Sequence, residues 1–203
     1  MDTKKIFSTK QFVELALLVA VILLMAFTPV GYIRTLGLEI TLIVVPVTVG
    51  AVTLGPFAGA ILGAAFGLTS FIQCFGMSSI GTALLGINPV FTFIVCVVSR
   101  VLMGWLTGLI YQGIKRMKRF SGISIAAANL AGPLLNTFFF MGSLTLFFYQ
   151  TEYIQGFAES LGAANALAFV AAFVGVNGLI EAGVCFVVGS AVSKTLQEVL
   201  KSG

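Results

Sequence analysis

The sequence predicts an all-α integral membrane protein, a single domain over residues 1–203 built as one compact bundle of six transmembrane helices with both termini cytoplasmic. Three observations carry this. Hydrophobic residues make up 59% of the chain and charged residues only 9%, with a mean hydropathy of +1.10, whereas an ordinary soluble domain is about 25% charged. The apolar residues gather into runs close to the roughly 20 residues a helix needs to cross the hydrocarbon core. The basic residues gather in alternate connections.

Taken in order, the runs are 12–28, 40–54, 56–75, 90–111, 123–149 and 165–192. The first follows Lys4, Lys5 and Lys10 and superficially matches a signal peptide, but no small-x-small cleavage site follows it, so it reads as a first span. The second is short for a span and is expected to be tilted, broken or partly embedded. The fourth and fifth flank the cluster Lys115, Arg116, Lys118 and Arg119, and the sixth leads to a tail with Lys194 and Lys201. Six spans place these basic segments on one side, which the positive-inside rule makes cytoplasmic. The opposite side has Arg34 with Glu39, Glu152 and Glu159, in connections long and polar enough to cover a site that opens outward.

Several chemistries are excluded by residue type. There is no histidine and the only aspartate is Asp2, so His-based triads, HExxH zinc sites and an intramembrane aspartyl dyad are ruled out, and no enzyme, metal site or cofactor is expected. Cys74, Cys96 and Cys185 lack CxxC spacing and read as small core residues. The segment 108–115 resembles a phosphate loop, but Ile114 stands where lysine is required and the segment ends a membrane helix. The Lys115–Arg119 cluster reads as a stop-and-orient signal, not as a nucleic-acid site.

Two glycine and alanine patterns point to close helix approach. Gly55, Gly59, Gly63 and Gly67 recur every four residues along the third span, as small-xxx-small stripes do where helices meet. That stripe suits packing inside this chain or against an external partner. Ala16 and Ala20 give the first span a flat small-residue face.

The charges inside the spans are the clearest clues to function. Arg100 and Glu181 stand within apolar runs, where a charge costs roughly 2.5 to 3.5 kcal/mol and faces a cavity, a partner charge or a substrate. Arg100 lies about ten residues, roughly 15 Å, from the outer end of its span. Asn129 and Asn136 are seven apart, and Asn177 and Glu181 four apart, so each pair shares a helix face. Arg100, Asn136, Asn177 and Glu181 are thus expected at similar depth, lining a solute pocket or, alternatively, tying helices through an Arg100–Glu181 clamp. An arginine with amides suits an anionic or amide-rich solute. Gln73, Asn88 and Tyr32 are further substrate-binding candidates near the outer mouth.

These residues, in this order, resemble the substrate-binding S components of energy-coupling factor vitamin importers. The resemblance covers most of the chain: Ala16-x-x-x-Ala20, Thr28-Pro29-Val30-Gly31-Tyr32-Ile33, the Pro46 to Gly50 run, Leu54-Gly55-Pro56-Phe57-Ala58-Gly59 leading to Phe66-Gly67-Leu68-Thr69-Ser70, Arg100 with Gly104 and Gly108, Asn136-Thr137, and Asn177-Gly178-Leu179-Ile180-Glu181. It implies a multi-pass subunit of a bacterial or archaeal cell membrane that captures a vitamin outside. Release would follow docking on a shared transmembrane subunit carrying two ATPases, with toppling in the bilayer. It assigns Ala16 and Ala20 to that docking face. Among substrates the resemblance is greatest to the pantothenate subgroup, with riboflavin, folate, a pyridoxine-type vitamer, cobalamin or a deazapurine left open. The alternatives are a solitary transporter driven by an ion gradient, and a structural membrane protein held by the Arg100–Glu181 clamp.

Overall fold

A computed structural model describes residues 8–28, 31–35, 38–117 and 123–202, apart from the side chains of residues 32–40, 176–177 and 200–202. Lys4, Lys5, Lys118 and Arg119 of the expected basic segments lie outside the described residues. The chain forms α1 (Thr9–Ala26), a hairpin of β1 (Tyr32–Thr35) and β2 (Leu38–Thr41), α2 (Val44–Thr53), α3 (Pro56–Gln73), α4 (Ser79–Ile87) and α5 (Pro89–Phe93). It continues through a π-helical segment (Ile94–Val98) into α6 (Ser99–Arg116), then α7 (Ser124–Phe148), α8 (Glu152–Ser160), α9 (Ala166–Val184), a second π-helical segment (Cys185–Gly189) and α10 (Ser190–Ser202).

Five helical runs are long and apolar enough to cross a membrane: Thr9–Ala26, Pro56–Gln73, Pro89–Arg116, Ser124–Phe148 and Gly178–Val199. The helix starts follow local chemistry. Ser8 and Gln11 form a capping box at α1, the Ser8 hydroxyl accepting from the Gln11 amide and the Gln11 side chain accepting from the Ser8 amide. Pro56 occupies the first turn of α3 after Gly55, whose φ of 99° suits glycine. Asn88 caps α5, Thr151 caps α8 and Asn165 caps α9.

The second expected span differs most from a simple crossing. Of the expected 40–54, Ile40 and Thr41 end an antiparallel hairpin that otherwise fills the preceding connection, with Tyr32 opposite Thr41 and Arg34 opposite Glu39, and only Val44–Thr53 is helical. At 1.5 Å per residue such a helix reaches about half of a 30 Å core. It is nonetheless central: Val44, Pro46, Val47, Thr48 and Val49 are buried, and Val44 and Val47 join Ile22, Leu62, Phe66 and Met103 in the main core. Non-helical backbone is tolerated at such depth when protein surrounds it, and β2 lies against α9.

The sixth run is also divided. At Gly175 the backbone takes φ 34° and ψ −135°, breaking α9. The long apolar run then begins at Gly178 and continues to Val199, so it starts and ends later than the 165–192 read from hydropathy. The connection between the third and fourth runs contains α4, and that between the fifth and sixth contains α8. The apolar face of α8, Ile154 and Ala158, packs on Phe148 and Phe169.

The glycine stripe meets α6. A Cβ at Gly59 would collide with the Gly104 carbonyl, one at Gly63 with the Arg100 carbonyl, and one at Gly67 with the Val97 Cα. In return, a Cβ on Gly104 would strike Gly59, and one on Gly108 would strike Pro56. Gly59, Gly63 and Gly67 are buried within the chain, where they let α3 approach α6 closely. Gly55 sits at the end of the stripe beside Gln112. Ala16 and Ala20 are exposed, among Phe12, Val13, Leu17 and Leu24 on the outward side of α1.

Candidate functional site

The site is built where α3, the π-helical segment before α6, α6, α7 and α9 converge. Arg100 is the second residue of α6, just past that π-helical segment. A π turn shifts the helical hydrogen-bond register by one residue, and such bulges recur at functional sites. Here the Val95 carbonyl accepts from both the Ser99 hydroxyl and, at 2.7 Å, Arg100 Nη1. Ser99 also stands 3.5 Å from the Ser143 hydroxyl of α7.

The Arg100 guanidinium lies over two aromatic rings, 4.2 Å from the Phe140 centroid and 5.4 Å from that of Phe66. Both ring faces attract the cation, more strongly where water is excluded, and Arg100 is only 6% exposed. Phe140 is four residues after Asn136, so α7 presents ring and amide on one face. Asn136 Nδ2 donates to Glu181 Oε1 at 3.3 Å. Glu181 stands in α9, the helix against which β2 lies. Helices α6, α7 and α9 are thus joined around one buried polar cluster.

Three of the four central candidates are brought together: Arg100, Asn136 and Glu181. The fourth, Asn177, is in α9 two residues past the Gly175 break, and its side chain lies outside the described residues, as does that of Tyr32. Gln73 does not reach this cluster through its amide nitrogen: Nε2 donates to the Ala26 carbonyl at 2.6 Å, satisfying an orphan acceptor at the end of α1. Asn88 Oδ1 accepts from the Val90 and Phe91 amides as a helix cap. Both residues have clear structural work at the hairpin end of the bundle.

Phe66, Phe140 and the Val95 carbonyl are site groups that residue-type reasoning did not single out. Phe140 had a legible signal, its spacing of four from Asn136. The carbonyl had none, because a π turn leaves no sequence signature. Cys74 and Cys96 come within 3.8 Å of each other as free, buried thiols. Among the described residues no group of three or more His, Cys, Asp or Glu side chains gathers to hold a metal.

A second buried polar cluster lies toward the other end of α7. Asn129 Nδ2 donates to the Ile125 carbonyl at 2.9 Å and to the Ser193 hydroxyl of α10 at 3.3 Å. Nearby, Gln197 Nε2 donates to the Tyr111 hydroxyl at 2.7 Å and to the Val52 carbonyl at 3.3 Å. These bonds tie α2, α6, α7 and α10 together away from Arg100.

The family model described as "ECF transporter, substrate-specific component" matches residues 10–193. No curated protein matches the chain. The match takes in the long helical runs, the last of them as far as residue 193, and the chain belongs to the substrate-specific components of ECF transporters.

Proposed function

From that membership, we propose that this chain binds a vitamin or related micronutrient from outside the cell and releases it inside after docking on a shared transmembrane subunit with two ATPases. The observation that carries the reading is the convergence of Arg100, Asn136 and Glu181, all buried, in an otherwise apolar bundle. Charge at membrane depth is costly enough that its retention argues for a solute or a partner charge. Pantothenate is the leading substrate: its carboxylate suits the positive charge of Arg100, and its amide and hydroxyls suit Asn136, Glu181 and Asn177. The hairpin, α4 and α8 would then face outside and cover the site, with the termini inside. The exposed Ala16 and Ala20 are the proposed docking face.

The test is calorimetric binding of pantothenate by the purified protein in detergent, paired with uptake by cells. One molecule of pantothenate should bind per chain, and uptake should cease when the ATPase module is deleted. Arg100→Ala should weaken binding at least 100-fold, about 2.8 kcal/mol, in a protein that still melts cooperatively. Uptake that persists without the ATPases would instead indicate a solitary, ion-driven transporter. A variant that fails to fold, with no ligand for the wild type, would indicate a structural clamp.

A further inference from the structure

Asn136 is 7% exposed and Glu181 8% exposed, so each side chain is more than nine-tenths buried. The Asn136 amide is oriented by its neighbour. With Nδ2 toward Glu181 Oε1, it makes the 3.3 Å bond; turned over, it would set one acceptor oxygen against another. That orientation commits Oδ1 to the other side, where it is buried and has no hydrogen-bond partner among the described residues. Buried carbonyl oxygens are almost always paired, and this one is left as an acceptor for a water or for a donor on a solute.

Asn129 shows why this reading belongs to Asn136. Its Oδ1 also lacks a partner among the described residues, but the residue is fully buried and the oxygen is pressed against Gly189, where a Cβ would stand 2.5 Å away. A ligand has no room there. Asn136 instead meets a carboxyl through its Nδ2, in the cluster that Arg100 and Phe140 complete, and among the described residues no glycine backbone is pressed on its oxygen as Gly189 is on that of Asn129.

We propose that Asn136 and Glu181 form an acceptor edge that selects solutes presenting N–H or O–H donors, such as an amide or an amino-heterocycle. A bare carboxylate on this edge would face two acceptors without a donor to offer. The inference rests on the reading of this cluster as a solute site and adds the chemistry that the site demands of the molecule.

The experiment uses the purified full-length protein in detergent and measures binding of pantothenate, riboflavin, folate and nicotinamide, which carry N–H donors, against nicotinate and lipoate, which at neutral pH carry none. Nicotinamide and nicotinate share one ring and differ in that donor group and in charge, and the positive Arg100 acts on the charge in nicotinate's favour. The expected result is that the tightest probe is a donor-bearing one and that nicotinate and lipoate bind at least tenfold more weakly. Asn136→Leu should weaken the best probe at least tenfold. Glu181→Gln, which keeps the shape and lets the new amide satisfy Asn136 Oδ1 internally, should do the same and serves if the leucine variant does not fold. Nicotinate or lipoate binding as tightly as the best donor-bearing probe overturns the inference, as does a best probe whose affinity neither variant changes. Such binding leaves the solute-site reading standing. If no probe binds a wild-type protein that melts cooperatively, the solute-site reading falls and the acceptor edge with it.

Discussion

Asn129 and Asn136 stand seven residues apart on one face of α7, and both are buried, yet they meet different surroundings. Asn129 joins helices: both hydrogen bonds of its Nδ2 are made inside the protein, to Ile125 and Ser193, and the second π-helical segment closes over its oxygen at Gly189. Asn136 faces a carboxyl and an arginine held over an aromatic ring. The difference teaches that a buried amide in a membrane helix is not in itself a site. What separates a strut from a binding group is whether neighbouring backbone closes over it, and that is decided by the small residues of other helices.

The wall shared by both regions gives the sharpest way to break the contrast. Gly63 abuts the backbone of Arg100, so Gly63→Val must push α3 from α6 and drag Arg100 from its rings. Overpacking of this kind costs about 3 kcal/mol, and both thermal stability in detergent and ligand binding should fall. A variant of unchanged melting would mean that the seam yields more easily than its close backbone contacts indicate.

A smaller effect sharpens the comparison. Asn129→Leu removes the bonds to Ile125 and Ser193, leaving the Ser193 hydroxyl buried without that donor, and should destabilise the protein by about 1–3 kcal/mol. Affinity for the solute measured on the folded fraction should stay within twofold. A tenfold loss of affinity would join the two clusters into one functional unit. The smallest change is expected from Gln197→Ala, which removes the links to Tyr111 and Val52. It should lower stability by about 0.5–1.5 kcal/mol, read as a modest shift in melting temperature, with binding unchanged.

Much of the bundle is legible in the sequence because lipid imposes length and apolarity directly. The runs 56–75 and 123–149 end within two residues of α3 and α7. The depth of Arg100 and Asn136 follows from their places in such runs, and they do meet one cluster. The hairpin is harder to see, since Tyr32–Thr41 mixes polar and apolar residues and its second strand runs into an apolar helix without a composition change. The short helices α4 and α8 lie in connections that lack the length of a span, although α8 pairs a capping Thr151 with an apolar face. The break at Gly175 is carried by one glycine within an apolar run, and glycine is also common in unbroken membrane helices.

By itself the sequence determined that the chain inhabits a membrane, which runs can span it, and that an arginine, a glutamate and several amides must find shelter inside. Those conclusions follow from transfer energies, which depend on composition and position along the chain. Tertiary structure alone decided which of the sheltered groups touch. It set the glycine stripe against α6, placed Arg100 over Phe140 through a π turn, gave Gln73 to the end of α1, and turned the Asn136 amide toward Glu181. Contacts between helices depend on register, crossing and the absence of single Cβ atoms at the seams, and hydropathy is blind to all three.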